Sequence, residues 1–125
     1  MNASSQTPFT APAVGRTAEQ APVFEALMAL AAEFADLPRP YIVVHTTGCW
    51  FTVQLGHPSH FEAWRDALGL PTDLVDLVAS RSSAWLASSA HYRGVRFELT
   101  GHGVPLTPEQ ASAPRVVGES VVVAA

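Results

Sequence analysis

The chain contains no lysine. Its seven basic residues are all arginine: Arg16, Arg39, Arg65, Arg81, Arg93, Arg96 and Arg115. Eleven Asp and Glu outweigh them and leave a formal net charge of −4. That balance gives no general attraction to nucleic acid or to an anionic membrane. The lack of lysine, beside abundant Ala, Val and Pro, is the composition of a GC-rich genome. Cysteine is almost absent too. Cys49 stands alone, which excludes an intramolecular disulfide and a Cys-based zinc cage and suits a reducing compartment. No apolar run reaches the roughly 20 residues that a membrane-spanning helix needs. The opening MNASSQTPFTAPAVGRTAEQAP has no apolar signal core. The expected location is the cytoplasm, with no membrane partner. Charge as a whole is scarce: 14% charged against 48% hydrophobic over 125 residues leaves enough apolar material to pack about one domain.

Residues 1–20, rich in Ser, Thr, Pro and Ala, are expected to form a flexible arm, because they hold too little apolar surface to offset the entropy of ordering. A single α+β domain is expected over 21–106. A tail at 107–125 is expected to stay loose or to add an edge strand. In APVFEALMALAAEFADLP, the residues Phe24, Leu27, Met28, Leu30, Ala31 and Phe34 recur at three and four, which predicts a helix with that stripe facing inward. Pro22 suits its first turn and Pro38 ends it.

RPYIVVHTTGCWFTVQLG reads as a hairpin that turns at Gly48. Phe51, Val53 and Leu55 alternate with Trp50, Thr52 and Gln54, the period of a half-buried strand. In the first run, Ile42 and Val44 are expected to point inward, with Tyr41, Val43 and His45 outward. Ser59-x-x-Glu62 has capping-box spacing at the start of a second helix. Gly69 and Pro71 stop that helix. TDLVDLVAS is expected to form a further short helix, with Leu74, Leu77 and Val78 inward. SSAWLASSAHYRGVRFELTGHG reads as a second hairpin near Gly94, with Val95, Phe97 and Leu99 alternating with Arg96, Glu98 and Thr100. The fold expected is a two-layer sandwich: a four-stranded antiparallel sheet of two hairpins, with two or three helices on one face, in the order α-ββ-α(α)-ββ. FTVQLGHP and RFELTGHGVP are loosely alike, which points to a duplicated helix-plus-hairpin unit.

There is no G-x-S-x-G elbow, no Walker loop and no dinucleotide fingerprint. His57 and His60 supply two of the three or four ligands a zinc site needs. His45, His102 and Glu62 are the candidates for a third, but none lies at diagnostic spacing. Cys49 has His45 across the turn, a pairing that matches no known catalytic signature. Residues 61–79 resemble a helix-turn-helix. Phe61 holds its first position and Gly69 its ninth, and Trp64, Leu68, Leu70, Val75 and Val78 hold the apolar ones. Against this, Arg65 stands where the motif has a small residue, and Pro71 opens the second helix. The reading helix would present Thr72, Asp73 and Asp76, whose carboxylates repel phosphates.

The outer sheet face offers the composition of a recognition surface: Trp50, Thr52, Gln54, Trp85, Arg96 and Glu98. The sequence therefore favours a small non-enzymatic binding or accessory protein acting on a protein partner, or on a second copy as a homodimer. Burial of Trp50 and Trp85 would supply affinity, and Arg96 with Glu98 would set register. A DNA-associated regulator using 61–79, and a small enzyme or metal protein using His57 and His60, are the alternatives. Neither a cofactor nor a bound metal is expected on the favoured reading.

Overall fold

A computed structural model describes residues 15–80, 82–105 and 107–109, and the backbone of 119–122. Most of the predicted arm (1–14), together with Arg81 and Arg115, lies outside the described residues. A 3-10 turn, Thr17–Gln20, leads into helix α1, Ala21–Glu33, with a proline in its first turn. Strands β1, Tyr41–Val44, and β2, Trp50–Leu55, form the first hairpin. Helix α2 is Pro58–Leu68. Then come β3, Asp76–Ala79, β4, Ala84–Tyr92, β5, Val95–Gly101, and β6, Glu119–Val122.

Among the described residues the architecture is α+β, with the two helices α1 and α2 and a mixed sheet in the order β1-β2-β5-β4-β3-β6. It departs from the expected four-stranded antiparallel sheet in two ways. First, β2 and β5 run parallel at the centre, pairing Phe51 with Phe97 and Val53 with Leu99. The two segments that look alike in sequence are thus neighbours lying nearly in step. Second, residues 76–79 form a strand between β4 and β6, not a helix. The apolar positions of LVDLVA fit either period. Pairing decides between them, because the strand gains ladder bonds from both neighbours.

Both helices pack on one face of the sheet. The core joins Val23, Ala26 and Leu30 of α1 with Phe61 and Trp64 of α2 over Phe51, Val53, Leu55, Val95, Phe97 and Leu99. Phe51 and Phe97 stack at 5.4 Å. Each such side chain contributes roughly 1.5–3 kcal/mol by leaving water. The apolar stripe of α1 is rotated from expectation. Val23 and Ala26 are buried, while Phe24 and Met28 are exposed. Of the residues expected to face inward from 72–80, Leu74 is exposed and Val75 takes its place in the core.

Three local features set α2 in place. Its N-cap is His57, not Ser59: the His57 ring nitrogen Nδ1 accepts from the Ser59 backbone N–H at 3.1 Å, and Pro58 opens the first turn. Glu62 is therefore free of the capping box and accepts from Arg65 at 3.0 and 2.5 Å. Arg65 also donates to the Leu70 carbonyl, tying the helix end to the following loop. Gly69 takes the left-handed conformation that ends the helix.

Candidate interaction surface

Strand registers generate the outer face row by row. Trp50 of β2, Arg96 of β5 and His91 of β4 lie across one end. Thr52, Glu98 and Ser89 form the next row, then Gln54, Thr100, Ala87 and Asp76. Trp85 and Val78 close the far end. On β1, Tyr41 pairs with Gln54 and Val43 with Thr52, so both share this face.

The end around Trp50 is strongly organised. His45 stacks on the indole at 3.6 Å with the planes 12° apart. The Arg96 guanidinium, from the strand on the other side, lies 4.4 Å from the same ring. The indole N–H donates to the Thr47 carbonyl at 3.0 Å. His45 Nε2 lies 2.8 Å from the Thr52 hydroxyl. A cation held over a tryptophan is worth about 0.5–2 kcal/mol, depending on desolvation. That attraction explains why Arg96 does not reach Glu98. Among the described residues, the ion pairs are those of Arg65 with Glu62 and Asp66. Arg96 and Glu98 share the face without pairing with each other, and Arg96 stacks on Trp50 instead.

The six sequence-predicted residues do share one face, but they do not form one cluster. Trp85 stands about six strand positions from Trp50, roughly 20 Å away, and stacks instead on His102 at 5.6 Å. Thr52 and Thr100 are buried in the middle of the face. Gln54, Glu98, Trp50 and Trp85 are half-buried, and Arg96 is exposed. The Thr100 hydroxyl oxygen is buried without a hydrogen-bond partner. Sequence reasoning missed the part played by His45. Its signal was the outward parity of Tyr41 and Val43, which carries on to position 45.

The other candidate sites resolve differently. Residues 61–79 lack the second helix that reading DNA through a helix-turn-helix requires, because 72–74 is a 3-10 turn and 76–79 is β3. The rings of His57 and His60 lie 5.6 Å apart, with Ser59 bonded to the first. Among the described residues, no group of three His, Cys, Asp or Glu stands ready to hold a metal ion. Cys49 is exposed and donates to the Glu19 carbonyl. His102 is half-buried, and desolvation pushes its pKa below the ordinary value. Arg65, hydrogen-bonded to Glu62, holds that carboxyl below the usual carboxylate range. No helix among the described residues is long and apolar enough to cross a membrane.

An apolar cleft of about 510 Å³ lies on the helix side, lined by Leu27, Leu30, Phe34, Arg39, Ile42 and Trp64 among others. A smaller one, of about 240 Å³, lies between the 3-10 turn before α1 and the β1–β2 turn and includes Arg16, Glu19 and Cys49. No family model, no curated protein and no solved structure matches the chain.

Proposed function

We propose that this protein is a non-enzymatic binding protein that engages a protein partner through the outer face of its sheet, centred on Trp50 and Arg96. The observation that carries the reading is the fixed stack of His45, Trp50 and Arg96 on the face that the helices leave open. An indole already held by three partners loses little side-chain freedom on binding, and that lowers the cost of association. Arg96 then presents its guanidinium edge to a carboxylate or carbonyl on the partner. Gln54 and Glu98 add polar contacts on the neighbouring rows. Trp85, at the far end and stacked on His102, belongs to the rim.

The test is a pull-down from native lysate, with and without nuclease, using the wild type, Trp50→Ala and Arg96→Ala. The reading expects a stoichiometric protein partner that survives nuclease and is lost with either variant. Partners released by nuclease, or retained by both folded variants, would refute it.

A further inference from the structure

Apolar surface left exposed is not spread evenly over this molecule. Among the described residues six large hydrophobic ones are exposed, and five of them, Phe24, Met28, Tyr41, Ile42 and Val43, belong to α1 and β1; the sixth, Leu74, lies elsewhere. Met28 is 76% and Tyr41 77% exposed. The two elements are joined by the apolar cleft, whose wall includes Leu27 and Ala31 of α1 and Ile42 of β1. Phe24, Met28 and Ala31 follow one another at four and three residues, so they form one stripe, and Ala31 of that stripe lines the cleft.

Strand β1 is also the end of the sheet. It pairs with β2 on one side, and its other side is unpaired among the described residues. A free edge usually carries a charge, a proline or a bulge that prevents pairing. The YIVV of β1 has no charge and no proline within it. Like charges would therefore not meet if two copies of this edge were brought together.

We infer that the β1 edge and the adjoining flank of α1 form a homodimer contact, occupied by the same surface of a second copy. Antiparallel edge pairing about a two-fold axis normal to the sheet is isologous and closes at two copies. It keeps both helix layers on one side only when side chains of like parity oppose each other. Pairing Ile42 with Ile42 of the second copy, and Tyr41 with Val43, meets that condition. The Phe24 and Met28 flank of α1 is assigned to the same contact because Leu27 and Ala31 beside it line the cleft with Ile42 of β1. Full coverage of the five exposed residues removes roughly 600 Å² per copy, about 1,200 Å² in total, which is the lower bound for a specific interface. This contact does not depend on the partner surface around Trp50. It lies along the β1 edge, where Val43 and Tyr41 border the outer face one and two rows from Trp50 and Arg96.

The experiment is sedimentation equilibrium of the full chain, loaded from about 1 to about 100 µM, a range that covers the weaker interfaces of this size. The wild type is expected at twice the chain mass. Val43→Lys places a charge on the exposed edge, and Met28→Glu places one on the α1 flank. Each should raise the dimer dissociation constant by about tenfold or more while leaving the far-ultraviolet circular dichroism unchanged. Trp50→Ala and Arg96→Ala should leave the mass unchanged, so this contact and the partner surface fail separately. A monomer across the whole range overturns the inference. So does a dimer that both charge variants leave intact, or one that the Trp50 and Arg96 variants dissolve.

Discussion

Replacing Gly101 by alanine tests the packing of α2 on the sheet most directly. Gly101 sits at the end of β5, beside Leu55 of β2 and Leu86 of β4. Its φ is not positive, so alanine meets no backbone penalty there. The penalty is steric. An added Cβ would lie 2.5 Å from the Cβ of Phe61, 2.9 Å from its Cγ and 3.0 Å from its Cδ2. Comfortable carbon–carbon separation is about 3.5–4 Å. Phe61 is fully buried, and the nearest atom is its Cβ, which moves only with the helix backbone. Relief therefore requires α2 to lift by about 1 Å, drawing Phe61 and Trp64 out of contact with β2 and β5.

Overpacking of this kind costs about 1–3 kcal/mol, and a clash against helix backbone belongs near the top of that range. For a domain of this size, about 3 kcal/mol lowers Tm by roughly 10 °C. Urea and thermal unfolding followed by circular dichroism would measure it. Gly69→Ala is the control. Gly69 has φ 69° and nothing within 4 Å of an added Cβ, so it bears only the left-handed backbone cost of about 1 kcal/mol. Phe61→Ala in the Gly101→Ala background keeps the offending Cβ and should not restore stability. A Gly101→Ala protein no less stable than Gly69→Ala would show that α2 does not sit this close to the sheet. Rescue by Phe61→Ala would place the clash on the ring and contradict the helix-lifting argument.

Thr100→Val removes a buried hydroxyl that has no partner. It should be neutral or stabilise by about 1 kcal/mol, since the threonine bears desolvation without a compensating bond; a loss above that size in urea unfolding would mean the hydroxyl is satisfied. His57→Ala removes the cap of α2 and should cost about 1 kcal/mol, with His57→Asn recovering most of it; equal stability of the two variants would deny the capping role. His102 is held below its ordinary pKa of 6.5 by desolvation, so between its folded and unfolded values the unfolded chain binds more protons. Its contribution is complete above pH 6.5 and is lost as the pH falls through and below that value, until the folded group itself titrates. The urea midpoint should drop from pH 7.5 to pH 5 by less in His102→Gln than in the wild type, and identical drops would refute the assignment.

The sequence disclosed local structure well where one period was unambiguous. Alternation in WFTVQL and VRFELTG placed Phe51, Val53, Leu55, Phe97 and Leu99 on the core side, and the structure puts them there. Gly69 ended α2 as its position suggested. The misreadings came where two periods fitted or where partners were distant in sequence. LVDLVA satisfied helix and strand alike, and only pairing with β4 and β6 decides for the strand. The parallel pairing of β2 with β5 depends on a return of the chain through α2, β3 and β4, and no local pattern records that. At the surface, residue identity suggested a single two-tryptophan patch. Register separates the tryptophans, and a cation–aromatic contact takes Arg96 away from Glu98.

The rotated stripe of α1 bears on assembly as well as on packing. Its apolar residues span two adjacent arcs: Val23, Ala26 and Leu30 against the sheet, and Phe24, Met28 and Ala31 on the exposed flank next to it. A helix that needs to cover only one sheet gains nothing from the second arc, which carries a solubility cost as long as it stays exposed. The neighbouring strand shows the same surplus, with Tyr41, Ile42 and Val43 exposed on both of its faces. One edge contact accounts for both. It also sets the geometry of the partner surface. Pairing through β1 joins the two outer faces into one continuous sheet, with a Trp50–Arg96 stack on each side of the two-fold axis. A partner with two matching sites would then be bound with an avidity that depends on dimer formation. Met28→Glu should weaken capture of such a partner without touching its contact residues, whereas a partner with one site should be captured equally well by that monomeric variant.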